Sequence, residues 1–189
     1  MIDKRAAAEA IEAFLRALGH EPIGELAGTG ERVADAWADD LLDGYRVDPD
    51  ELLRDGSGDA GRGDHGPVIL RDLSVTTVCP HHLLPAHGTA TVAYVPHRRL
   101  AGLGTIAKVV DAYAHRLALQ EQIGESVVRT LRHELEPHAA LCILSMTHAC
   151  LVGRGERKSG AVVETMAIEG EYRHRNDLLT AIRAIARRP

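Results

Sequence analysis

The sequence predicts an α+β fold: an antiparallel sheet with helices on one face, preceded by an N-terminal helical arm. Three observations carry this. After Pro67, runs rich in Val, Ile, Leu and Thr alternate with helical periodicity in the order β-β-α-α-β-β, and a last helix follows. The strands come in consecutive pairs, which favours hairpins over parallel crossovers. Before Pro67 there is only helical patterning and a Gly- and Asp-rich stretch, so residues 1–66 read as an arm with a mobile loop and 67–189 as the main domain.

In the arm, residues 5–18 space Ala, Ile, Phe and Leu helically until Gly19 interrupts them. Thr29 is placed to cap a second helix whose stripe is Val33, Trp37 and Leu41, with Gly44 at its end. The stretch RDGSGDAGRGDHG at 54–66 reads as a loop. Residues 68–78 and 87–96 suit two strands. Ile106, Val109, Val110, Tyr113 and Leu117 mark a helix over 105–119, and another covers 121–135 before Pro137. ALCILSMTHACLV and AVVETMAIEGEY then read as two strands, and NDLLTAIRAIARR as the closing helix.

Hydrophobic residues make up 45% of the 189, enough for a packed core. Aromatic residues make up only 3% and the net charge is -5, which argues against both stacked single strands and a phosphate-neutralising surface; nucleic acid is not the expected partner. A few local cations can still hold an anionic small molecule. The amphipathic start MIDKRAAAEAIEAFLRALG has no apolar signal-peptide region, and no run is long enough to cross a bilayer. With three cysteines, an odd number, the expected setting is a reducing cytoplasm, where thiols bind metals or fill cores rather than pair.

The chemistry concentrates in two segments. VCPHHLLP sets Cys79 and His82 in a C-x-x-H spacing on a turn after a strand, stiffened by Pro80 and Pro85. THACLV sets His148 and Cys150 two apart, which on a strand turns both side chains to one face. Two thiolates and an imidazole suit a zinc ion (Zn2+), and three protein ligands leave a fourth position open for water, the catalytic rather than the structural pattern. His81 and His148 remain beside the metal as acid and base. Blander readings exist: Cys142 reads as core filler, and a His-His pair can be a surface accident in a chain with 11 His.

These residues resemble GTP cyclohydrolase I. VCPHHLLPAHGTATVAYVP resembles that family's C-E-H-H-L-x-P…G…I-A-Y-I-P, RLALQEQIGESV resembles R-L-Q-x-Q-E-R-L-T, and THACLVGRG resembles T-H-x-C-M-x-M-R-G. The similarity runs from about residue 68 to 188, with a fainter echo in LGHEPIGELAGTGERVADAW. The resemblance implies a tunnelling fold in a toroidal homo-oligomer, a decamer with sites between subunits. It implies opening of the GTP imidazole ring at C8, loss of formate and closure to dihydroneopterin triphosphate. By position it makes Cys79, His82 and Cys150 the zinc ligands, His81 the proton donor and His148 the histidine of formamide hydrolysis. Glu121 becomes the guanine-recognising carboxylate, Gln120 a ribose or base contact and Arg154 a phosphate ligand. Taken without the resemblance, Glu121 would read as a solvated helix-start carboxylate.

The pattern breaks where the family binds phosphate. Its G-L-S-K is Gly102-Leu103-Gly104-Thr105 here, and its next arginine is Lys108, which keeps the charge without the bidentate fork. Pro80, Ser145, Ala161, Val163 and Ile23 also replace family residues. Three functions stay open: a zinc-dependent GTP cyclohydrolase, an enzyme opening a purine nucleotide or nucleobase with fewer phosphates, and a non-catalytic zinc-binding paralogue. Losing one charge-assisted phosphate contact costs roughly 1.5–3 kcal/mol, enough to shift substrate preference without abolishing binding.

Overall fold

The computed structural model describes residues 2–63 and 65–186, and the chain divides into two compact units, Met1–Asp43 and Gly44–Pro189. In the first, α1 (Lys4–Ala17) is capped by Asp3, whose carboxylate accepts from the Ala6 N–H at 3.0 Å. Helix α2 (Thr29–Ala36) packs against it, with Lys4 donating to Asp35 and Asp39 across the pair. The cap of α2 is Gly28, not Thr29. Gly28 sits at φ 70°, a left-handed conformation that costs glycine little, and Thr29 is the first helical residue, its hydroxyl accepting from Arg32. The apolar stripe continues through Trp37–Leu41 as a π-helical turn.

The second unit opens with α3 (Pro49–Asp55), which the sequence reading did not place. Its start has a full signature, since Asp48 accepts from the Asp50 and Glu51 N–H groups and Pro49 is the first helical residue. Strand β1 (Ser57–Asp59) follows inside the stretch expected to be a loop. It is followed by β2 (Val68–Val78), β3 (Pro85–Val95), β4 (Arg99–Ala101), α4 (Leu103–Ala114), α5 (Gln120–Leu135), β5 (Ala139–His148), α6 (Ala149–Val152), β6 (Val163–Gly170) and α7 (Tyr172–Ala186). The main sheet has order β2-β3-β5-β6, antiparallel throughout, while β1 pairs with β4. The last residues of the expected closing helix, 187 and 188, lie outside the described residues.

Alternation along β3 and β5 sorts the core into two layers. Val92, Tyr94, Cys142 and Leu144 pack with Ile106, Val110, Ile123 and Leu131 of α4 and α5. Their neighbours Ala93, Val95 and Leu141 face the other way, onto Leu178 of α7. The two central helices thus share one face, as expected, and α7 covers the opposite one. Burying a side chain the size of Leu131 or Leu144 is worth about 1.5–3 kcal/mol, against ~1 kcal/mol net for a hydrogen bond, so apolar packing sets the layering.

A polar seam ties α3 to α5. Arg54 donates to both oxygens of Glu134 at 2.9 and 2.8 Å, and His133 Nδ1 lies 2.9 Å from the same carboxylate. The Glu134 side chain is 6% exposed, so it depends on these partners. The Arg54 bonds hold its carboxyl below the ordinary carboxylate range. A depressed carboxyl stabilises the fold above its unfolded pKa and loses that contribution as pH falls through the folded value. Glu134→Gln is therefore expected to lower Tm at neutral pH, with the gap to wild type closing as acid protonates Glu134; a pH-independent gap in thermal melts contradicts this.

Candidate metal centre and active site

The hairpin turn between β2 and β3 is pinned at its base. Cys79 N–H donates to the Leu84 carbonyl and Leu83 N–H to the Cys79 carbonyl, both at 2.9 Å, and Leu83 is held at φ 54°, a left-handed conformation unusual for a branched residue. That closed turn presents Cys79, His81 and His82 together. The histidines are exposed and Cys79 is half-buried.

The opposite wall comes from the end of β5, where the structure corrects one expectation. His148 is the last residue of the ladder, opposite Ala86, and Cys150 lies in α6 rather than on a strand. The next register position would face Pro85, whose nitrogen has no hydrogen to donate, and β6 begins only opposite Met146. With no ladder to join, the chain turns into a four-residue helix that brings Cys150 round toward Cys79.

Ligating atoms of Cys79, His82 and Cys150 all lie within 4.8 Å of one another, with Cys79 Sγ 3.8 Å from His82 Nδ1. Bonds of ~2.3 Å to sulfur and ~2.0 Å to nitrogen about a tetrahedral ion would set that separation near 3.6 Å, so the donors fit a metal with small adjustment. Desolvation, and then the neighbouring Cys79, push the Cys150 thiol above its ordinary range, as expected of two thiols crowded together. Cys142 behaves differently: fully buried, with its thiol pushed up to about 12, it is a core residue.

A third wall is the start of α5. Arg116 donates to the Gly44 and Val47 carbonyls, and Leu117 bridges to Val78 at the end of β2, so the segment leading to Gln120 and Glu121 is fastened beside the cysteine turn. Gln120 is 3% exposed and its amide is fully engaged. Its nitrogen reaches the Leu144 and Val163 carbonyls at 3.0 Å and Thr165 Oγ1 at 3.1 Å, while its oxygen lies 2.7 Å from His148 Nε2. Carbonyls only accept, so the amide nitrogen must face them, and the oxygen must then receive a proton from His148 Nε2. That fixes His148 with its lone pair on Nδ1. Burial lowers the His148 pKa, which favours the neutral imidazole, and the Glu121 carboxylate opposes this.

Together these walls enclose a cleft of about 250 Å³ lined by Cys79, His81, His82, Gln120, Glu121, His148 and Cys150, with Leu119, Leu151 and Val163 as apolar surface. Seven of the nine candidate residues from the sequence therefore meet in one place. Lys108 and Arg154 are exposed and outside this lining, although the Arg154 charge acts on Cys150. Sequence reading missed Thr165 and the Arg116 clamp. The only signal for either was indirect, a buried amide needing acceptors and a loop needing an anchor.

Comparison with known proteins gives this geometry a family. The model of the GTP cyclohydrolase I family matches residues 7–187. The chain belongs to the GTP cyclohydrolase I family. It is 37% identical over 179 residues to GTP cyclohydrolase 1 of Synechococcus sp. (strain JA-2-3B'a(2-13)), covering 92% of this chain and 77% of that one. It is 40% identical over 158 residues to GTP cyclohydrolase 1 of Chromobacterium violaceum, with 82% and 75% covered. For GTP cyclohydrolase 1 of Pelotomaculum thermopropionicum the figures are 34% over 176 residues, with 92% and 91% covered. Among solved structures, the apo archaeosine synthase QueF-Like aligns at TM-score 0.48 and 19% identity, over 58% of this chain and 98% of that one.

The hydrogen-bond network makes a prediction about the proton. Long-range proton–nitrogen correlation spectra should find neutral His148 protonated on Nε2, and Gln120→Leu should mix its tautomers. An Nδ1–H tautomer in the unmodified protein contradicts the assignment.

Proposed function

We propose that this chain is a zinc-dependent GTP cyclohydrolase, which adds water at C8 of the guanine, opens the imidazole ring, releases formate and closes a pteridine to give 7,8-dihydroneopterin triphosphate. The balance is one water consumed for one formate released. The observation that carries the reading is the convergence of a Cys-His-Cys donor set, a histidine whose tautomer is fixed by its hydrogen bond and an exposed carboxylate on one cleft. Family membership supports the same reaction.

Cys79, His82 and Cys150 would hold the zinc, two soft thiolates and an imidazole being suited to that ion with a fourth position left open. When bound, zinc supplies the Lewis acidity that brings a water's pKa toward neutrality. His148 presents its Nδ1 lone pair to the cleft, where it would take up a proton and return it to the departing nitrogen. His81, exposed on the same turn with its ring edge toward His82, is the second proton donor. Glu121, exposed at the mouth, accepts from the ring N–H and exocyclic amine of guanine. Gln120 acts through His148 rather than on the base, because its amide is already fully bonded.

The β-β-α-α-β-β order within one antiparallel sheet supports a tunnelling fold, and every proposed site residue falls within 67–189, which we take as the catalytic domain after the arm of 1–66. In a toroidal homo-oligomer, a decamer in this reading, Lys108 and Arg154 would complete the phosphate end of sites between subunits. No helix among the described residues is long and apolar enough to cross a membrane. Cytoplasmic reducing conditions would keep Cys79 and Cys150 as ligands.

One observation keeps a less phosphorylated purine as a second reading. Where the family carries Ser-Lys, this chain has Gly104 and Thr105, and the Thr105 side chain packs closely on Gly56 instead of offering a cation. Turnover of GTP, GMP and guanosine by the wild-type protein and Cys150→Ser separates the possibilities. GTP should release formate and yield pteridine fluorescence, and Cys150→Ser should lose both the metal and the turnover. Metal-free protein as active as the loaded form would refute the zinc assignment, and a preference for guanosine would move the substrate to the second reading.

A further inference from the structure

At the other end of the sheet from the cleft, three histidines from separate segments converge. His97 follows β3, His138 lies in the turn entering β5, and His174 is in the first turn of α7. Their rings lie against one another, His97 tilted over His138 with centroids 4.6 Å apart and His138 stacked on His174 at 4.5 Å. Glu171, just before α7, sends one oxygen toward each of two rings: Oε1 lies 3.6 Å from His138 Nδ1 and Oε2 lies 3.5 Å from His174 Nε2. We propose that His138, Glu171 and His174 form a second divalent-cation site, for a borderline ion such as zinc, nickel or cobalt. It is separate from the cleft and does not rest on the catalytic reading.

The distances carry the argument. Separations of 3.5 and 3.6 Å are long for N–H···O hydrogen bonds, so the cluster is not closed by its own bonding. Each is close to the ~3.4 Å that bonds of ~2.1 Å impose between two donors on one tetrahedral ion, and because they run to different oxygens of Glu171 the carboxylate would engage the ion through both. All three ligating atoms lie within 4.8 Å of one another, as in the Cys-His-Cys set. Glu171 and His174 also form a Glu-x-x-His pair at i and i+3, a spacing that puts carboxylate and imidazole on one side of a helix turn. Asp177 Oδ2 lies 3.7 Å from His174 Nδ1, longer than a hydrogen bond, and would have to close in on metal binding to orient that ring as a carboxylate partner does.

The scaffold is pre-set. His138 N–H donates to Val95 O, Glu171 N–H to His138 O and Arg175 N–H to Glu171 O, so backbone bonds fix all three ligand-bearing segments. Gly170, at φ 121°, lets the end of β6 pass so close to His138 that a Cβ there would run into its carbonyl. The His138 and His174 side chains are 31% and 20% exposed and braced by stacking, while Glu171 at 66% leaves the site open to solvent.

The test is calorimetric titration of Ni2+ into the full-length protein already carrying one zinc per chain. One further equivalent per chain is expected, weakened about 10–100-fold by His138→Asn or His174→Asn, with zinc content and turnover unchanged in both variants. The same equivalent should persist in Cys79→Ser/Cys150→Ser, which separates this site from the cleft even if the catalytic reading fails. Absence of the extra equivalent, its retention at full strength in both histidine variants, or its loss in the cysteine double variant each overturns the proposal.

Discussion

The Gln120 side-chain amide is the constraint on which the site depends. A buried amide left without partners costs about 1–3 kcal/mol for each unmet group, so its surroundings are dictated. Its nitrogen spans the Leu144 carbonyl in β5 and the Val163 carbonyl at the start of β6, and its oxygen takes the His148 proton. One residue at the head of α5 thereby sets the helix against two strands and selects which nitrogen of His148 faces the cleft. Glu121, the next residue, inherits its place at the cleft mouth from the same anchoring.

A second constraint is the finite length of the ladder. Pro85 begins β3 without a backbone donor, and β5 loses its partner one position after His148. The break costs a ladder position, but it frees Cys150 to approach Cys79. Had β5 run on, alternation would have pointed His148 and Cys150 the same way and parted the Cys150 thiol from the turn that carries its fellow ligands. The candidate donor set is thus assembled from two chain reversals rather than from a regular face, and backbone bonding stabilises both.

The strands β2 and β3 and the helices α4 and α5 were legible because each buries one face and so writes its period into the sequence. Helix α3 was hidden inside a polar stretch, although Asp48-Pro49 announced its start; its apolar contribution, chiefly Leu53, is too brief to make a period. Strand β1 was misread as loop because Ser57–Asp59 bonds through the backbone to β4 and buries little of itself. The candidate donor residues were readable, since C-x-x-H and H-x-C are local, but the route of Cys150 was not, because a ladder's end is a property of the partner strand. The role of Gln120 was likewise out of reach: its partners lie 24 to 45 residues away.

The proposed metal centre is where the sequence motifs and the fold meet, and its coordination can be read directly. X-ray absorption at the zinc edge, on protein loaded with one equivalent per chain, should find two sulfurs at ~2.3 Å and nitrogen or oxygen neighbours at ~2.0–2.1 Å. A first shell without sulfur, or one closed by a third sulfur, would contradict an open Cys79–His82–Cys150 site.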